Sequence, residues 1–388
     1  MYKTEDGVQN PKELRPHAPY RVIQIIGAGE YGGAEVYVRQ MMIGMRESGI
    51  ATEALVFYDR TFAEKLRGDG FAVTVEASFI RAFGLLRERA AGGEQLILHT
   101  HGVKASLLGR AVGERTGTHV VTTIHSDLAL DYQGRKGVFF RGLERMTRGM
   151  SMRIVAVSEP LAEVLRQRGY ERDRIRVIAP GVALAEARDS AREAVGRVDE
   201  IAALGMPEDA WVIVCVARLH AVKDHETLIR AVSALPEVRG RAVTLLLVGE
   251  GEERERLEAL GASLAPGRIF FAGAVDQVDL YLARADVFVL TSRMEGFGLA
   301  VAEAMVAGLP VVVSDVGGLR QVVPESGVHG IRVAPGDADG FGAALRELLE
   351  SDERRSQIAT QGQAYAATHL STARVRSSVE QLYEEIAR

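Results

Sequence analysis

The 388-residue chain holds one cysteine, Cys215. No disulfide can form within it, and no cysteine cluster can hold zinc or an iron–sulfur group. That usage predicts a reducing, cytoplasmic compartment. Long apolar runs are also missing: they reach about eight residues, as in Ala210–Ala217, far short of the roughly 20 that a membrane-spanning helix needs. The first 20 residues are polar, contain Pro11 and Pro16, and show no apolar stretch of the kind a secretory signal requires. Nor is there an excess of positive charge. Lys and Arg number 47 against 52 Asp and Glu, a net charge of −5, which argues against nucleic acid as the main partner.

What is present is an ordinary globular composition, 47% hydrophobic and 26% charged, in a chain long enough for two or three domains. Charge is uneven: residues 1–185 sum to +5 and residues 186–388 to −10, which suggests different partners for the two halves. After a polar tail over residues 1–20, short β-rich runs (Val22–Ile26, Glu53–Phe57, Ala72–Val75, Gln95–His99, His119–Ile124, Arg153–Val157) alternate with helical patterns such as Ala34–Glu47 and Lys104–Glu114. Residues 183–207 are Ala-rich, charged and without a strand run, and are read as the connection between domains. A second series follows, with strands at Val212–Val216, Thr244–Val248, Arg268–Phe271, Val287–Leu290 and Val311–Val313. This alternation predicts two tandem, doubly wound α/β domains with parallel sheets. In such sheets ligands sit at the carboxyl ends of strands, and that is where the motifs fall.

The segment Gly27 to Glu35 reads G-A-G-E-Y-G-G-A-E directly after the first strand. Gly27, Gly29 and Gly32 fit a dinucleotide fingerprint, with Asp59 as the late candidate for a ribose-binding acid. A nicotinamide-dependent oxidoreductase is therefore the competing reading. Arg218 and Lys223 follow the strand Val212–Val216, two cations able to reach one phosphate-rich group. The most specific stretch is S-R-M-E-G-F-G-L-A-V-A-E-A-M, Ser292 to Met305. Here Gly296, Phe297, Gly298 and Leu299 open a helix whose unpaired N–H groups suit a diphosphate. Glu295 precedes that turn, placed to bond sugar hydroxyls, and Glu303 lies inside the helix, placed to bond a ribose diol.

His125 ends the strand His119–Ile124, and His99 and His101 end the one before it. An imidazole at a strand end can bond a hydroxyl or assist proton transfer. No acidic residue stands beside the three at metal-ligand spacing, so no metal site is read from them. Asp337-Ala338-Asp339 resembles a metal–nucleotide motif but follows Pro335-Gly336 and precedes a helix, and Asp337 is read as its N-cap. Arg135-Lys136-Gly-Val-Phe139-Phe140-Arg141, continuing to Arg145 and Arg148, is read as an amphipathic helix packing Phe139, Phe140, Leu143 and Met146 into the domain. Contact with an anionic membrane is the alternative.

Together these residues resemble glycosyltransferase family 4, retaining enzymes of the GT-B fold. The likeness runs over roughly residues 21–388. It rests on Gly32-Gly33-Ala34-Glu35, His125, Val157-Ser158, Arg218 with Lys223, Val248-Gly249-Glu250-Gly251, and Glu295 with Glu303 around Phe297-Gly298. The family often shows Pro-Asn-Gly-Val/Ile near the end of its first domain, where this chain reads Ala179-Pro180-Gly181-Val182.

The resemblance implies an acceptor-binding first domain (21–185 with 371–388) and a second domain (186–370) that binds a nucleoside-diphosphate sugar, UDP favoured. It implies that Arg218 and Lys223 hold the diphosphate, that Glu303 meets the ribose, and that Glu295 and the Phe297–Leu299 amides face sugar and phosphates. Gly249 falls in the same donor site. His125 and the Gly32-Gly33 loop would approach from across the cleft. It further implies a hexosyl- or N-acetylhexosaminyltransferase that uses no metal or other cofactor. The acceptor would be a glycan, a lipid-linked molecule or a small molecule, and the protein would be cytoplasmic or peripheral at the inner membrane face. A protein that keeps this fold to bind sugar nucleotides without catalysis is a further alternative.

Overall fold

The computed structural model describes residues 18–27, 32–126, 134–182, 203–275 and 277–388. Gly29 and most of the expected connection, residues 183–202, lie outside these, as do the side chains of Arg135 and Lys136.

The first sheet is built from β1 (Tyr20–Ile26), β2 (Ala51–Val56), β3 (Val73–Val75), β4 (Gln95–His101), β5 (His119–Ile124), β6 (Arg153–Ala156) and β7 (Ile175–Val177). Its strands run parallel in the order β3-β2-β1-β4-β5-β6-β7. Helices α1 (Gly33–Glu47), α2 (Thr61–Gly68), α3 (Phe79–Ala90), α4 (Val103–Thr116), α5 (Gly134–Thr147) and α6 (Glu159–Gln167) make the crossovers.

The second sheet takes β8 (Trp211–Val216), β10 (Arg241–Val248), β11 (Ile269–Gly273), β12 (Val287–Leu290), β13 (Val311–Ser314) and β14 (Ile331–Val333) in the order β11-β10-β8-β12-β13-β14, with β9 (Glu237–Val238) antiparallel to β10. Its helices are α7 (His225–Ser233), α8 (Arg254–Leu264), α9 (Val278–Arg284), α10 (Leu299–Val306), α11 (Leu319–Val322), α12 (Ala338–Glu350) and α13 (Asp352–His369). Both faces of each sheet are covered, which is why β8 can read Trp-Val-Ile-Val-Cys-Val, its first five residues buried. Each buried Val or Ile there contributes about 1.5–3 kcal/mol.

The last helix, α14 (Thr372–Ala387), buries Val375, Val379, Leu382, Tyr383 and Ile386 at helical spacing, against Tyr37, Val38, Met41 and Met42 of α1. It therefore packs on the first sheet, not the second. The crossing point is stitched by Val182 N donating to the Leu370 carbonyl (2.7 Å) and Thr372 N donating to that of Val182 (3.2 Å). A Cβ on Gly181 would stand 2.7 Å from the Thr372 backbone, so the glycine of Ala179-Pro180-Gly181-Val182 is what lets the two crossings touch. Glu385 then binds Arg176 (2.7 Å) and Arg153.

The strands named from the sequence lie within a few residues of those observed. Short elements of both series, β7, β9, β14, α9 and α11, are not among those named from the sequence. One orientation is corrected. The expected inward face of α5 does not pack as a whole: Phe139 is 66% exposed and Met146 80% exposed. Glu144 points inward instead, gripping the buried guanidinium of Arg110 (2.6 and 2.9 Å) and accepting from Tyr170 Oη (2.7 Å). Turning Glu144 outward to bury Phe139 and Met146 would leave the Arg110 guanidinium buried without its counter-charge, which favours the rotation observed.

Candidate active site in the interdomain cleft

In the second sheet the strand order reverses between β8 and β12, where a crevice opens at the carboxyl edge. The loop after β8 carries Arg218 and Lys223, and the loop after β12 carries Glu295. Lys223 Nζ and Glu295 Oε1 meet there in a direct ion pair, largely shielded from solvent. Ser292 Oγ also donates to Glu295 (3.3 Å). The two loops are sewn together. Thr291 Oγ1 donates to the carbonyls of Lys223 (3.1 Å) and Asp224 (2.9 Å), and Arg293 N donates to that of Val222 (2.8 Å). Asp224 sits at φ 51°, a left-handed conformation costly for a residue with a Cβ. Thr227 (2.9 Å) and Arg293 (3.1 Å) hold its carboxylate there.

Glycines serve close approach here. A Cβ on Gly249, at φ 140°, would stand 2.1 Å from the Ala217 carbonyl, and one on Gly251 2.2 Å from that of Leu219. Gly249 thus forms the floor under the Arg218 loop. Gly298, at φ 97°, caps α10, and Phe297 is buried beside it. Leu299 begins the helix, and Glu303 lies one turn further in. Burial, with the Asp279 carboxylate adding, pushes the Glu303 carboxyl up to about 7. Gly317 and Gly318, which the sequence reading passed over, press on this turn: Gly318 N donates to the Glu295 carbonyl (2.9 Å).

On the first sheet the order reverses between β1 and β4. The sequence did not guarantee that its three histidines converge; they do. His101 Nδ1 and His125 Nε2 are 3.0 Å apart, and His99 and His101 stack at 4.5 Å. Burial drives His99 down to about 3 and His125 to about 4, and takes His101 well below its usual value. All three are neutral imidazoles at physiological pH. Among the described residues no group of three His, Cys, Asp or Glu side chains is arranged to hold a metal ion.

The domains meet at this edge. A Cβ on Gly296 would lie 2.0 Å from the His125 carbonyl, so backbone faces backbone across the cleft. Beside it, Glu159 N donates to Gln321 Oε1 (2.9 Å), just after Ser158 caps α6 through Leu161 N (3.3 Å). A cavity of about 580 Å³ is lined by Gly32, Gly33, Ala34, Glu35, Tyr58 and Arg60 of the first domain and by Arg218 of the second. Tyr58 and Arg60 were not read from the sequence, since nothing in their spacing marks a site. Glu35 caps its own helix through Gly32 N (3.1 Å). Asp59, the acid the nicotinamide reading needs, pairs with Arg67 (2.7 Å). Asp337 accepts from Gly340 N (2.9 Å), as an N-cap does.

The chain matches two family descriptions that between them span most of its length: "Glycosyltransferase Family 4" over residues 31–186 and "Glycosyl transferases group 1" over residues 197–365. It is 31% identical over 312 residues to a D-inositol 3-phosphate glycosyltransferase of Xylanimonas cellulosilytica, covering 72% of this chain and 70% of that one. Its identity to the protein of the same name in Thermomonospora curvata is 28% over 398 residues, covering 92% and 91%. Among solved structures, Anabaena HepE in complex with UDP-glucose superposes with a TM-score of 0.81 at 20% identity, over 94% of this chain and 100% of that one. With two facing Rossmann-like domains and both halves matched, the chain belongs to the group 1, family 4 glycosyltransferases of the GT-B fold.

Proposed function

We propose that the protein is a retaining, metal-independent transferase that moves a sugar from a nucleoside-diphosphate sugar, UDP favoured, to an acceptor hydroxyl. The observation that carries this is the Lys223–Glu295 pair beside Arg218 and the α10 N-terminus, facing His125 across the cleft. A structural neighbour solved with UDP-glucose, Anabaena HepE, supports the donor class.

In this reading Arg218 and Lys223 hold the diphosphate. The first-turn amides of α10 add their hydrogen bonds and dipole. Glu303 accepts from the ribose diol. Glu295, which already orients Lys223, faces the sugar hydroxyls, and His125 bonds one from the other side. The anomeric C–O bond breaks, its electrons pass to the leaving phosphate, and the two fixed cations stabilise the charge as it grows. The acceptor oxygen bonds the anomeric carbon from the same face and yields its proton to that phosphate. Fixed cations here take the part a magnesium ion plays in other phosphate chemistry. Domain closure excludes water and favours transfer over hydrolysis. A trapped glycosyl–enzyme adduct would contradict this route.

The acceptor is a glycan, lipid-linked or small-molecule hydroxyl. The outward face of α5, with Val138, Phe139 and Met146 exposed beside Arg145, supports peripheral contact with an anionic leaflet. Calorimetric titration with UDP, GDP, ADP and NADH, each in chelator, tests the core reading. One nucleoside diphosphate binds without metal, and Arg218→Ala abolishes it. Binding of NADH alone would overturn the reading, and donor binding without turnover of any sugar nucleotide would favour a non-catalytic protein.

A further inference from the structure

A continuous file of buried polar groups runs from the cleft into the first domain: His125, His101, Gln24, Tyr383, His99 and Thr123. Gln24, His99, His101, Thr123 and Tyr383 are all at most 2% exposed. In-register pairing explains the assembly. Gln24 on β1 lies beside His99, and His101 on β4 lies beside Thr123 on β5. Alternation then puts His99, His101, Thr123 and His125 on one face of the sheet. That face is covered by α1 and α14, and Tyr383 of α14 closes the file.

The direction of every hydrogen bond follows from one end. Gln24 Nε2 lies by the thioether of Met45 (3.8 Å) and by Tyr383 Oη (3.3 Å). Sulfur there can only accept, so the amide nitrogen is the atom facing it. Gln24 Oε1 therefore faces His101 Nε2 (2.8 Å) and accepts from it. A neutral His101 protonated at Nε2 has a lone pair at Nδ1 and accepts from His125 Nε2 (3.0 Å). Tyr383 Oη, receiving from Gln24, donates to His99 Nδ1, and His99 Nε2 donates to Thr123 Oγ1 (2.6 Å). Each bond has one proton and none is in conflict.

We infer that Gln24 and His101 are positioning residues that lock His125 in the Nε2–H tautomer, so that Nδ1 meets a donor-sugar hydroxyl as a hydrogen-bond acceptor. The inference rests on the proposed role of His125 toward the donor. Burial supports it by keeping His101 and His125 neutral, since a charged imidazole would have no acceptor nitrogen. The arrangement selects for a hydroxyl that donates, and a deoxy or fluoro analogue at that position loses the bond.

Long-range 1H–15N correlation on histidine-labelled full-length protein reads the tautomer directly. The wild type shows His125 protonated at Nε2. Gln24→Leu and His101→Leu, which keep volume in the core, show mixed tautomers and a kcat/KM lower by about 10- to 100-fold, as loss of a partner orienting an imidazole costs elsewhere. His101→Asn, whose side-chain oxygen can still accept from His125, restores most of the activity. In a His125→Ala background none of these changes lowers activity further. A wild-type His125 protonated at Nδ1, or losses that persist in His125→Ala, would overturn the inference. A wild type with the expected tautomer that transfers no sugar upholds the lock and overturns the catalytic reading.

Discussion

The two walls of the cleft are built from opposite materials. The second domain's edge is charged and local: Arg218, Lys223, Glu295 and Glu303 stand on two loops and one helix joined by backbone contacts. Behind the first domain's edge, where Glu35 and Arg60 also line the cavity, the groups are neutral and dispersed: three imidazoles, an amide and a phenol drawn from β1, β4, the end of β5 and the last helix. A leaving diphosphate carries charge and needs fixed countercharge, whereas a sugar ring carries hydroxyls and needs neutral, directed hydrogen bonds. In the proposed reading, the difference between the walls answers to the two ends of a nucleotide sugar.

The sharpest way to break the charged wall is Lys223→Ala. It removes a cation and strands a shielded carboxylate, and kcat should fall about 10²–10³-fold, the scale of losing one transition-state donor, read by steady-state release of the nucleoside diphosphate. Gly296→Ala acts between the walls. Its Cβ would meet the His125 carbonyl at 2.0 Å, which forces the domains apart at a cost of about 1–3 kcal/mol. Turnover should drop some 10- to 100-fold while melting of each domain hardly moves, and scattering should report a more open molecule.

Glu303 sharpens the contrast through pH. Its carboxyl is raised to about 7, and in the proposed reading the ribose diol donates to its ionised form. Nucleotide affinity should therefore rise as pH climbs from about 6 to 8, by up to roughly tenfold for each pH unit crossed below that value, and Glu303→Gln should flatten the profile. The same raised value makes the ionised glutamate destabilising. The unfolded carboxyl ionises near its ordinary value, so stability falls as pH rises from about 4.5 to 7. Glu303→Gln should accordingly melt higher at pH 8 but not at pH 4. The smallest effect expected is from Arg145→Glu on the exposed face of α5. Pelleting with anionic vesicles should weaken, while turnover of water-soluble acceptors stays unchanged.

The charged wall was legible in the sequence because its groups lie close along the chain and the β8 and β12 edges adjoin at the switch point. Arg218 with Lys223, and Glu295 with Glu303 around Phe297-Gly298, could be read as motifs before any contact was known. That Lys223 and Glu295 pair directly could not, since 72 positions separate them. The neutral wall was largely illegible. Gln24 and Tyr383 are 359 positions apart, and neither residue type signals a site alone. Three histidines near strand ends hinted at something, but only strand register makes them meet. The rotation of α5 escaped for a related reason. Its apolar pattern pointed one way, and a buried Arg110–Glu144 pair, invisible as a pattern, turned it another.

The most direct test of the two-wall account compares UDP with the intact UDP-sugar as ligands of Arg218→Ala and His125→Ala. The account predicts that Arg218→Ala weakens both ligands, whereas His125→Ala leaves UDP affinity unchanged and weakens only the nucleotide sugar, with a loss of turnover. A His125→Ala protein that loses UDP itself as severely as Arg218→Ala does would contradict the division of labour between the walls.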